Sequence, residues 1–308
     1  MRLWYNEPVP PLLQAKALSK RYGAVVALDS VNFEIGEGVT GLLGSNGAGK
    51  STAIKLFFGL LQPTSGTAEV MGKDAATEVE ARSRLGYSPE HDCLPPSISG
   101  AEFLTHMAEV SGLPPAQSRA RAADTLRHVG LFEERYRPIS GYSTGMKQRV
   151  KLAQALVHDP VLIMLDEPTA GLDPRGREEM LDLIRKVHHE FGINIVLSTH
   201  LMGDVERTCD KIVVLEGGRV AESGEVKSFT SETETVFIEV DEATGALVDA
   251  LRARGISGRV EAAAVVVENA VPETYDAIMD AVIASGAPLR RLAPQKRALT
   301  EIFQRARK

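Results

Sequence analysis

The hydrophobic pattern of the chain is of one kind from Leu12 to about Phe229. Short apolar runs alternate with helical patterns, which is typical of a parallel β-sheet flanked by helices. The runs that predict strands are Val39–Leu43, Val161–Leu165, Ile193–Ser198 and Lys211–Glu216. Between about 95 and 160 the pattern is helical without a strand-like run, and it is broken at Pro114, Pro115 and Pro138. This stretch predicts a helical insertion into the sheet domain.

A second pattern follows the polar run Ser228–Thr235, which has the composition of a domain linker. A smaller domain is predicted from about Glu234, so the chain divides into a tail at 1–11, a main domain at 12–229 and a small domain at 234–308. Its strand–helix–strand–strand–helix–strand order indicates a ferredoxin-like sandwich. The predicted elements are Thr235–Val240, Ala243–Arg254, Ser257–Glu261, Val265–Glu268, Pro272–Ser285 and Pro288–Leu292, and then a last helix from about Gln295 to Arg307.

Composition supports two globular domains and excludes several classes of protein. The length of 308 residues exceeds what one hydrophobic core usually organises. Hydrophobic residues make up 44% and charged residues 25%, which excludes a disordered, collagen-like or coiled-coil chain. The net charge of -6 provides no field that attracts phosphate backbones, so we expect no nucleic-acid partner.

The cellular location predicted from the sequence is the cytoplasm. Apolar runs such as Val161–Leu165 are far shorter than the roughly 20 residues of a membrane-spanning helix. Met1–Pro11 lacks the basic start and apolar stretch of a secretory signal. Cys93 and Cys209 are far apart and match no metal or CxxC spacing, so both are expected to be reduced thiols.

A glycine-rich segment follows the predicted strand Val39–Leu43 and precedes a helical stretch. Its glycines allow backbone N–H groups to point inward at a β-phosphate, and a helix N-terminus favours negative charge. Lys50 is expected to reach the β- and γ-phosphates, and the Ser51 hydroxyl to bind Mg²⁺. A simple turn is the alternative, but Gly-x4-Gly-Lys-Ser is a restrictive pattern. The candidate phosphate-binding residues are Gly44, Ser45, Asn46, Gly47, Ala48, Gly49, Lys50, Ser51 and Thr52.

Two further predicted strands end in residues suited to phosphate chemistry. Asp166 and Glu167 follow Val161–Leu165, at the strand end where open α/β sheets bind ligands. Asp166 is suited to hold Mg²⁺ through water, and Glu167 to polarise the attacking water. His200 follows Ile193–Ser198 and is a candidate sensor of the γ-phosphate. The alternatives are an acidic turn before Pro168 and a histidine with a structural role.

These residues and the segments between them resemble the nucleotide-binding domain of ABC transporters across nearly all of Leu12–Phe229. Tyr142-Ser143-Thr144-Gly145-Met146, before the predicted helix Lys147–Val157, is similar to the ABC signature. Asp166-Glu167-Pro168-Thr169 and Gly171-Leu172-Asp173 resemble the second Walker motif and the D-loop. His200 matches the switch histidine, and Tyr22 resembles the aromatic residue on which adenine stacks, although a lone tyrosine would by default be a packing residue.

The resemblance implies an α/β P-loop ATPase that uses ATP and Mg²⁺ and works as a homodimer. In the family, the P-loop of one subunit faces the signature of the other, so Ser143 and Gly145 would act in trans with Asp173 beside them. The signature is itself a small-residue turn before a helix, which makes a second anion site without a lysine. The family also implies an integral membrane permease as a separate partner, with the ATPase bound at the cytoplasmic face of the cell membrane.

Two departures from the family pattern indicate a branch of it. The signature usually reads Leu-Ser-Gly-Gly-Gln, and here Ser143 and Gly145 remain while the other three residues differ. Glu90, in Tyr87-Ser88-Pro89-Glu90, takes the place of a glutamine that touches Mg²⁺ and the permease, and a carboxylate there can still bind the metal. Both variants resemble the exporter branch, in which a short ATPase with a C-terminal extension pairs with a permease. The small domain is assigned regulation or dimer stabilisation by resemblance alone.

Two other functions are compatible with parts of the sequence. A soluble ABC ATPase that acts on ribosomes or DNA usually has two nucleotide domains or long coiled coils, and neither pattern is present. A P-loop small-molecule kinase would share the glycine-rich loop but needs neither Tyr142–Met146 nor Asp173. The function predicted from the sequence is therefore ATP hydrolysis that powers a separate permease, with the uncoupled soluble ATPase as the alternative.

Overall fold

A computed structural model describes residues 10–91, 93–229, 232–261, 264–268, 270 and 272–296. The chain forms two compact units that divide between Val226 and Lys227. The strands of the first unit are β1 Leu13–Tyr22, β2 Val25–Ile35, β3 Val39–Leu43, β4 Ser65–Val70, β5 Lys73–Asp74, β6 Leu85–Ser88, β7 Leu162–Asp166, β8 Asn194–Thr199, β9 Lys211–Glu216 and β10 Arg219–Glu225. Its helices are α1 Lys50–Phe57, α2 Val79–Ser83, α3 Gly100–Val110, α4 Pro115–His128, α5 Thr144–Leu156, α6 Pro174–Phe191 and α7 Met202–Thr208, and α8 Val226–Phe229 begins at the boundary.

The central sheet of the first unit has six strands in the order β10-β9-β3-β8-β7-β6. Its strands run parallel except for β10, which pairs antiparallel with β9 at one edge. Every residue of β3 and β7 is buried, as expected for apolar strands covered on both faces. Two predicted strands, β3 and β9, have their predicted bounds, while β7 and β8 begin and end one residue later than predicted. Asp166 and Thr199 are therefore the last residues of neighbouring strands.

A second sheet of the first unit is antiparallel, in the order β2-β1-β4-β5, and was not predicted from the pattern. The pairing of β1 with β2 shifts register at three places between Ala15 and Arg21. Ala17 and Ser30 also have positive φ values, of 45° and 50°. Such irregularities interrupt the alternation of buried and exposed side chains, which is the signal of a half-buried strand.

The stretch between β6 and β7 is helical, with α3, α4, a 3₁₀ turn at Ile139–Gly141 and α5. Pro115 begins α4 at a position where a missing N–H costs nothing. The signature helix α5 begins at Thr144, three residues before the predicted Lys147. Its earlier start follows from the Ser143 hydroxyl, which accepts a hydrogen bond from Met146 N at 3.3 Å and caps the helix.

The second unit contains β11 Glu232–Val240, α9 Thr244–Arg252, β12 Gly258–Glu261, β13 Ala264–Val267, α10 Pro272–Ser285 and β14 Leu289–Lys296. Its sheet has the order β12-β13-β11-β14, and all three pairings are antiparallel. Val236 and Ile238 of β11 pack in a core with Leu247 and Leu251 of α9. The predicted helix start at Gln295 is wrong, because β14 continues to Lys296, which pairs with Glu232 of β11 after a register shift. The rest of that predicted helix lies outside the described residues.

In the described part of the chain, no helix combines the length and the apolar character that crossing a membrane requires.

Candidate functional site

The glycine-rich loop joins β3 to α1 in a conformation that side chains would obstruct. Gly49, the residue before α1, has φ 106°, and Gly47 has φ 83°. A Cβ on Gly44 would lie 2.5 Å from the carbonyl oxygen of Leu215, and one on Gly49 would lie 2.5 Å from that of Ala27. The loop therefore needs glycine both for its left-handed backbone and for close approach to neighbouring strands.

Lys50 connects this loop to a candidate catalytic carboxylate. It is the first residue of α1 and only 6% exposed. Its Nζ donates a hydrogen bond to the carbonyl of Gly44 at 2.7 Å and lies 3.3 Å from Glu167 Oε1. The contact between residues 50 and 167 brings the phosphate-binding loop and the end of β7 into one site.

A cavity of 370 Å³ lies over the loop and collects most of the predicted ATP-binding residues. Glu90 and Glu167 come to it from the ends of β6 and β7, which are neighbouring parallel strands. Tyr22 is not among the lining residues; it ends β1, is 47% exposed and has Lys20 Nζ over its ring at 5.3 Å. The lining residues are Ala27, Ser45, Asn46, Gly47, Gly49, Lys50, Ser51, Thr52, Glu90 and Glu167.

The ends of β7 and β8 hold the catalytic candidates in place. Ser198 Oγ donates to Asp166 Oδ1 at 2.7 Å, and both side chains are buried. Glu167 N donates to the carbonyl of Ser198 at 3.1 Å. Glu167 has φ 49°, a left-handed conformation that costs free energy in a residue with a side chain and is often found at functional sites. His200 Nδ1 lies 3.0 Å from Glu167 Oε2, so the predicted switch histidine contacts the predicted base.

Two residues that were not predicted from the sequence, Asp204 and Arg177, connect the turn after β7 to helices α6 and α7. Asp204 on α7 is fully buried and accepts a hydrogen bond from Thr169 Oγ1 at 2.7 Å. Arg177 on α6 forms an ion pair with the same carboxylate. Nothing in the local pattern separates Asp204 from an ordinary surface acid, because its role comes from two elements distant in sequence. The network ties the turn after Glu167 to the helices on either side.

Replacing Arg177 with methionine should lower the free energy of unfolding by about 2 kcal/mol or more, because it leaves the Asp204 carboxylate buried without its cation. Urea unfolding of the full chain measures this change. Arg175→Met is the matched control, since the Arg175 side chain is 88% exposed and its loss should cost no more than about 0.5 kcal/mol. Equal stability of the two variants would contradict a structural role for the Arg177–Asp204 pair.

A second cavity, of 580 Å³, lies over the signature segment and the D-loop. Ser143 caps α5, and Asp173 Oδ1 caps α6 by accepting from Gly176 N at 3.3 Å, so two helix N-termini face this cavity. Helix N-termini favour anions. The lining residues are Gly130, Leu131, Glu134, Ser143, Thr144, Gly145, Met146, Arg149, Gly171, Leu172, Asp173, Arg175, Gly176, Glu179 and Met180. None of these residues also lines the P-loop cavity.

The tyrosine in the signature has a structural explanation. Tyr142 is buried, and its hydroxyl donates to the carbonyl of Glu134 at 2.7 Å. Burial raises the pKa of the phenol above its ordinary value, which keeps the hydroxyl protonated as a donor. Tyr142 thus fastens the segment before the 3₁₀ turn to the start of α5 and lies behind Ser143 rather than among the residues that line the cavity.

Comparison with known proteins agrees with this geometry. The family model described as ABC transporter matches residues 28–170. An uncharacterised ABC transporter ATP-binding protein of Bacillus subtilis strain 168 is 37% identical over 225 residues, which cover 73% of this chain and 74% of the relative. The chain belongs to the ABC transporter ATP-binding protein family. It is accordingly an ATPase.

Other relatives of this ABC ATPase are named for drug resistance and for import. The daunorubicin/doxorubicin resistance ATP-binding protein of Streptomyces peucetius is 36% identical over 221 residues, covering 70% of this chain and 67% of the relative. The methionine import ATP-binding protein of Caulobacter vibrioides is 38% identical over 255 residues, covering 79% and 75%. Family membership therefore establishes a transporter ATPase without its direction.

Solved structures of ABC ATPases have the same fold as the first unit. A subunit from Clostridium perfringens, described as part of the ABC transporter complex cbiONQ, has a TM-score of 0.65 and 32% identity, covering 71% of this chain and 90% of that one. A dimeric ATP-binding cassette in a post-hydrolysis state bound to ADP and Pi has a TM-score of 0.63 and 25% identity, covering 70% and 98%.

The donor atoms of this ABC ATPase site fit Mg²⁺ held together with a nucleotide. The Ser51 hydroxyl and the Glu90 carboxylate line the P-loop cavity, and both are the oxygen ligands that Mg²⁺ prefers. Among the described residues, no group of three or more His, Cys, Asp or Glu is placed to hold a metal by itself. Mg²⁺ commonly binds through one or two carboxylates together with substrate phosphates. The residues present therefore suit a metal that arrives with ATP.

Proposed function

We propose that this chain is the motor subunit of an ABC exporter, in which two copies bind ATP between them and hydrolysis powers a separate membrane permease. The observation that carries the proposal is the presence of two separate cavities on one chain, each beside the N-terminus of a helix. The P-loop cavity has Lys50 and the catalytic carboxylate, while the signature cavity has two helix N-termini and neither of those groups. A head-to-tail dimer would supply each nucleotide with both halves.

Each residue of the composite site has a proposed role. Lys50 and the P-loop N–H groups bind the β- and γ-phosphates, and Tyr22 stacks on adenine. Glu167 orients and polarises the attacking water, and His200 holds Glu167 while contacting the γ-phosphate. Ser143 and Gly145 of the other subunit bind the γ-phosphate from the opposite side, with Asp173 at the same interface. Ser51, Glu90 and, through water, Asp166 would hold Mg²⁺, which when bound neutralises phosphate charge.

Export rather than import is favoured by the drug-resistance relative and by the variants at Tyr142 and Glu90. The chain itself would be peripheral, at the cytoplasmic face of the membrane, and the permease would form the path. The test is to purify the full chain from membranes in mild detergent and identify what accompanies it. A multi-spanning protein released together with the ATPase supports the proposal, whereas a ribosome or no partner supports the soluble alternative.

The second unit is proposed to be a ferredoxin-like domain that regulates or stabilises the dimer. Its antiparallel sheet with the order β12-β13-β11-β14 supports the fold. Its role is supported by the positions of the candidate phosphate-binding residues, all of which precede Lys227 in the sequence. The lifetime of the ATP-bound dimer, compared with and without residues 227–308, measures this role.

A further inference from the structure

Lys151 is a buried cation outside both cavities whose role the proposed function does not assign. It lies in the middle of α5, the signature helix, and is only 3% exposed. Its Nζ donates hydrogen bonds to the carbonyl oxygens of Pro89 and Glu90, each at 2.9 Å. Burying an ammonium group costs free energy unless hydrogen bonds replace its water. The two hydrogen bonds of Lys151 therefore explain why this side chain can be buried.

The two carbonyls belong to the loop that brings Glu90 into the P-loop cavity. This loop begins where β6 ends at Ser88, one strand away from Asp166 and Glu167. Pro89 has no N–H to donate and cannot anchor the loop in that way. Charge-assisted hydrogen bonds to a fixed cation are about twice as strong as neutral ones, so Lys151 holds the backbone on both sides of Glu90.

Lys151 is part of a contact face on α5 that reaches two strand-end loops. Gln148, one turn earlier on the same face, donates from Nε2 to the carbonyl of Ala170 at 3.1 Å. Ala170 N in turn donates to the carbonyl of Glu167 at 3.0 Å. The helix that begins at the signature is thus bonded to the loop of Glu90 through Lys151 and to the turn of Glu167 through Gln148.

We propose that Lys151 is the positioning residue for Glu90: it sets where the Glu90 carboxylate stands relative to the phosphates and their metal, and it links that carboxylate to the signature helix. The inference rests on the proposed function, because it assumes that Glu90 binds Mg²⁺ with ATP. Lys151 lines neither the P-loop cavity nor the signature cavity. Its loss should therefore alter the metal-dependent part of ATP binding and leave the metal-free part almost unchanged.

The experiment measures ATP affinity of the full chain by calorimetry, once in Mg²⁺ and once in EDTA. The ratio is the affinity in Mg²⁺ divided by the affinity in EDTA. Lys151→Met keeps the length of the side chain and removes its donors. We expect it to lower the ratio by about tenfold, the scale of one to two hydrogen bonds, while affinity in EDTA changes less than about twofold. The ratio should fall to the value of Glu90→Ala, and the double variant should match Glu90→Ala alone.

Lys186→Met is the control for removing a lysine, because Lys186 is an exposed residue of α6 that pairs with Glu190 at 3.8 Å. It should keep the wild-type ratio. Thermal melts report folding, and if Lys151→Met does not fold, Lys151→Gln is judged by the same criteria. The proposal is overturned if the ratio does not change in the Lys151 variant or in Glu90→Ala, or if the two effects add. A wild-type chain without any Mg²⁺ effect on ATP affinity would instead refute the proposed function itself.

Discussion

Mixed dimers of Lys50→Ala and Ser143→Arg subunits should trap about one ATP per dimer, although neither variant should trap ATP alone. Lys50→Ala removes the cation of the P-loop, and Ser143→Arg fills the signature cavity and removes the cap of α5. In the mixed dimer one composite site carries both lesions and the other carries none. The two tagged subunits should therefore also cross-link in an ATP-dependent manner.

Binding and cross-linking are the measurements of choice, because turnover can require both sites of a dimer. Ser111→Arg serves as the matched control for Ser143→Arg, since Ser111 is exposed and lies outside both cavities. Melting curves check that loss of the helix cap, worth about 1 kcal/mol, leaves the Ser143 variant folded. If subunit exchange is verified and neither signal returns while the wild type gives both, the head-to-tail arrangement is wrong for this chain.

Glu167→Gln should slow ATP hydrolysis by about 100-fold or more while ATP binding stays intact. The amide preserves the size of the side chain but cannot accept a proton from the attacking water. ATP affinity should stay equal or rise, because the variant removes the carboxylate that lies 3.3 Å from Lys50 and would repel the γ-phosphate. Single-turnover hydrolysis and equilibrium ATP binding separate the two effects.

Glu179→Gln is the matched control, because Glu179 is also a glutamate that lines a cavity. That cavity is the signature cavity, and Glu179 pairs there with Arg149 and Arg175. Its chemical step should be far less affected than that of Glu167→Gln. Wild-type single-turnover rates in Glu167→Gln would remove Glu167 from its proposed role as the base.

The sequence predicted those parts of the molecule whose signals are local. The P-loop could be recognised because its glycines, Lys50 and Ser51 are consecutive, and β3 could be recognised as a continuous apolar run. The carboxylates at 166 and 167 could be placed because the carboxyl ends of parallel strands share an edge. These predictions needed no knowledge of which strands are neighbours.

Contacts between distant elements could not be predicted in this way. Ser198, which bonds Asp166, and Asp204, which bonds Thr169, become partners only when β7, β8 and α7 are assembled. Lys151 falls within an ordinary helical pattern, and its burial depends on where the Glu90 loop passes over α5. The bulges of β1 removed the alternation by which the antiparallel sheet could have been found.

Because Lys50 contacts Glu167, a substitution at either position should affect both ATP binding and ATP hydrolysis. Removing the ammonium leaves a buried carboxylate without its cation, and removing the carboxylate frees the ammonium to bind phosphate more strongly. Each single substitution thus changes two chemical groups at once. A double-mutant cycle over positions 50 and 167, with ATP binding and the chemical step measured separately, gives the coupling between nucleotide capture and water activation.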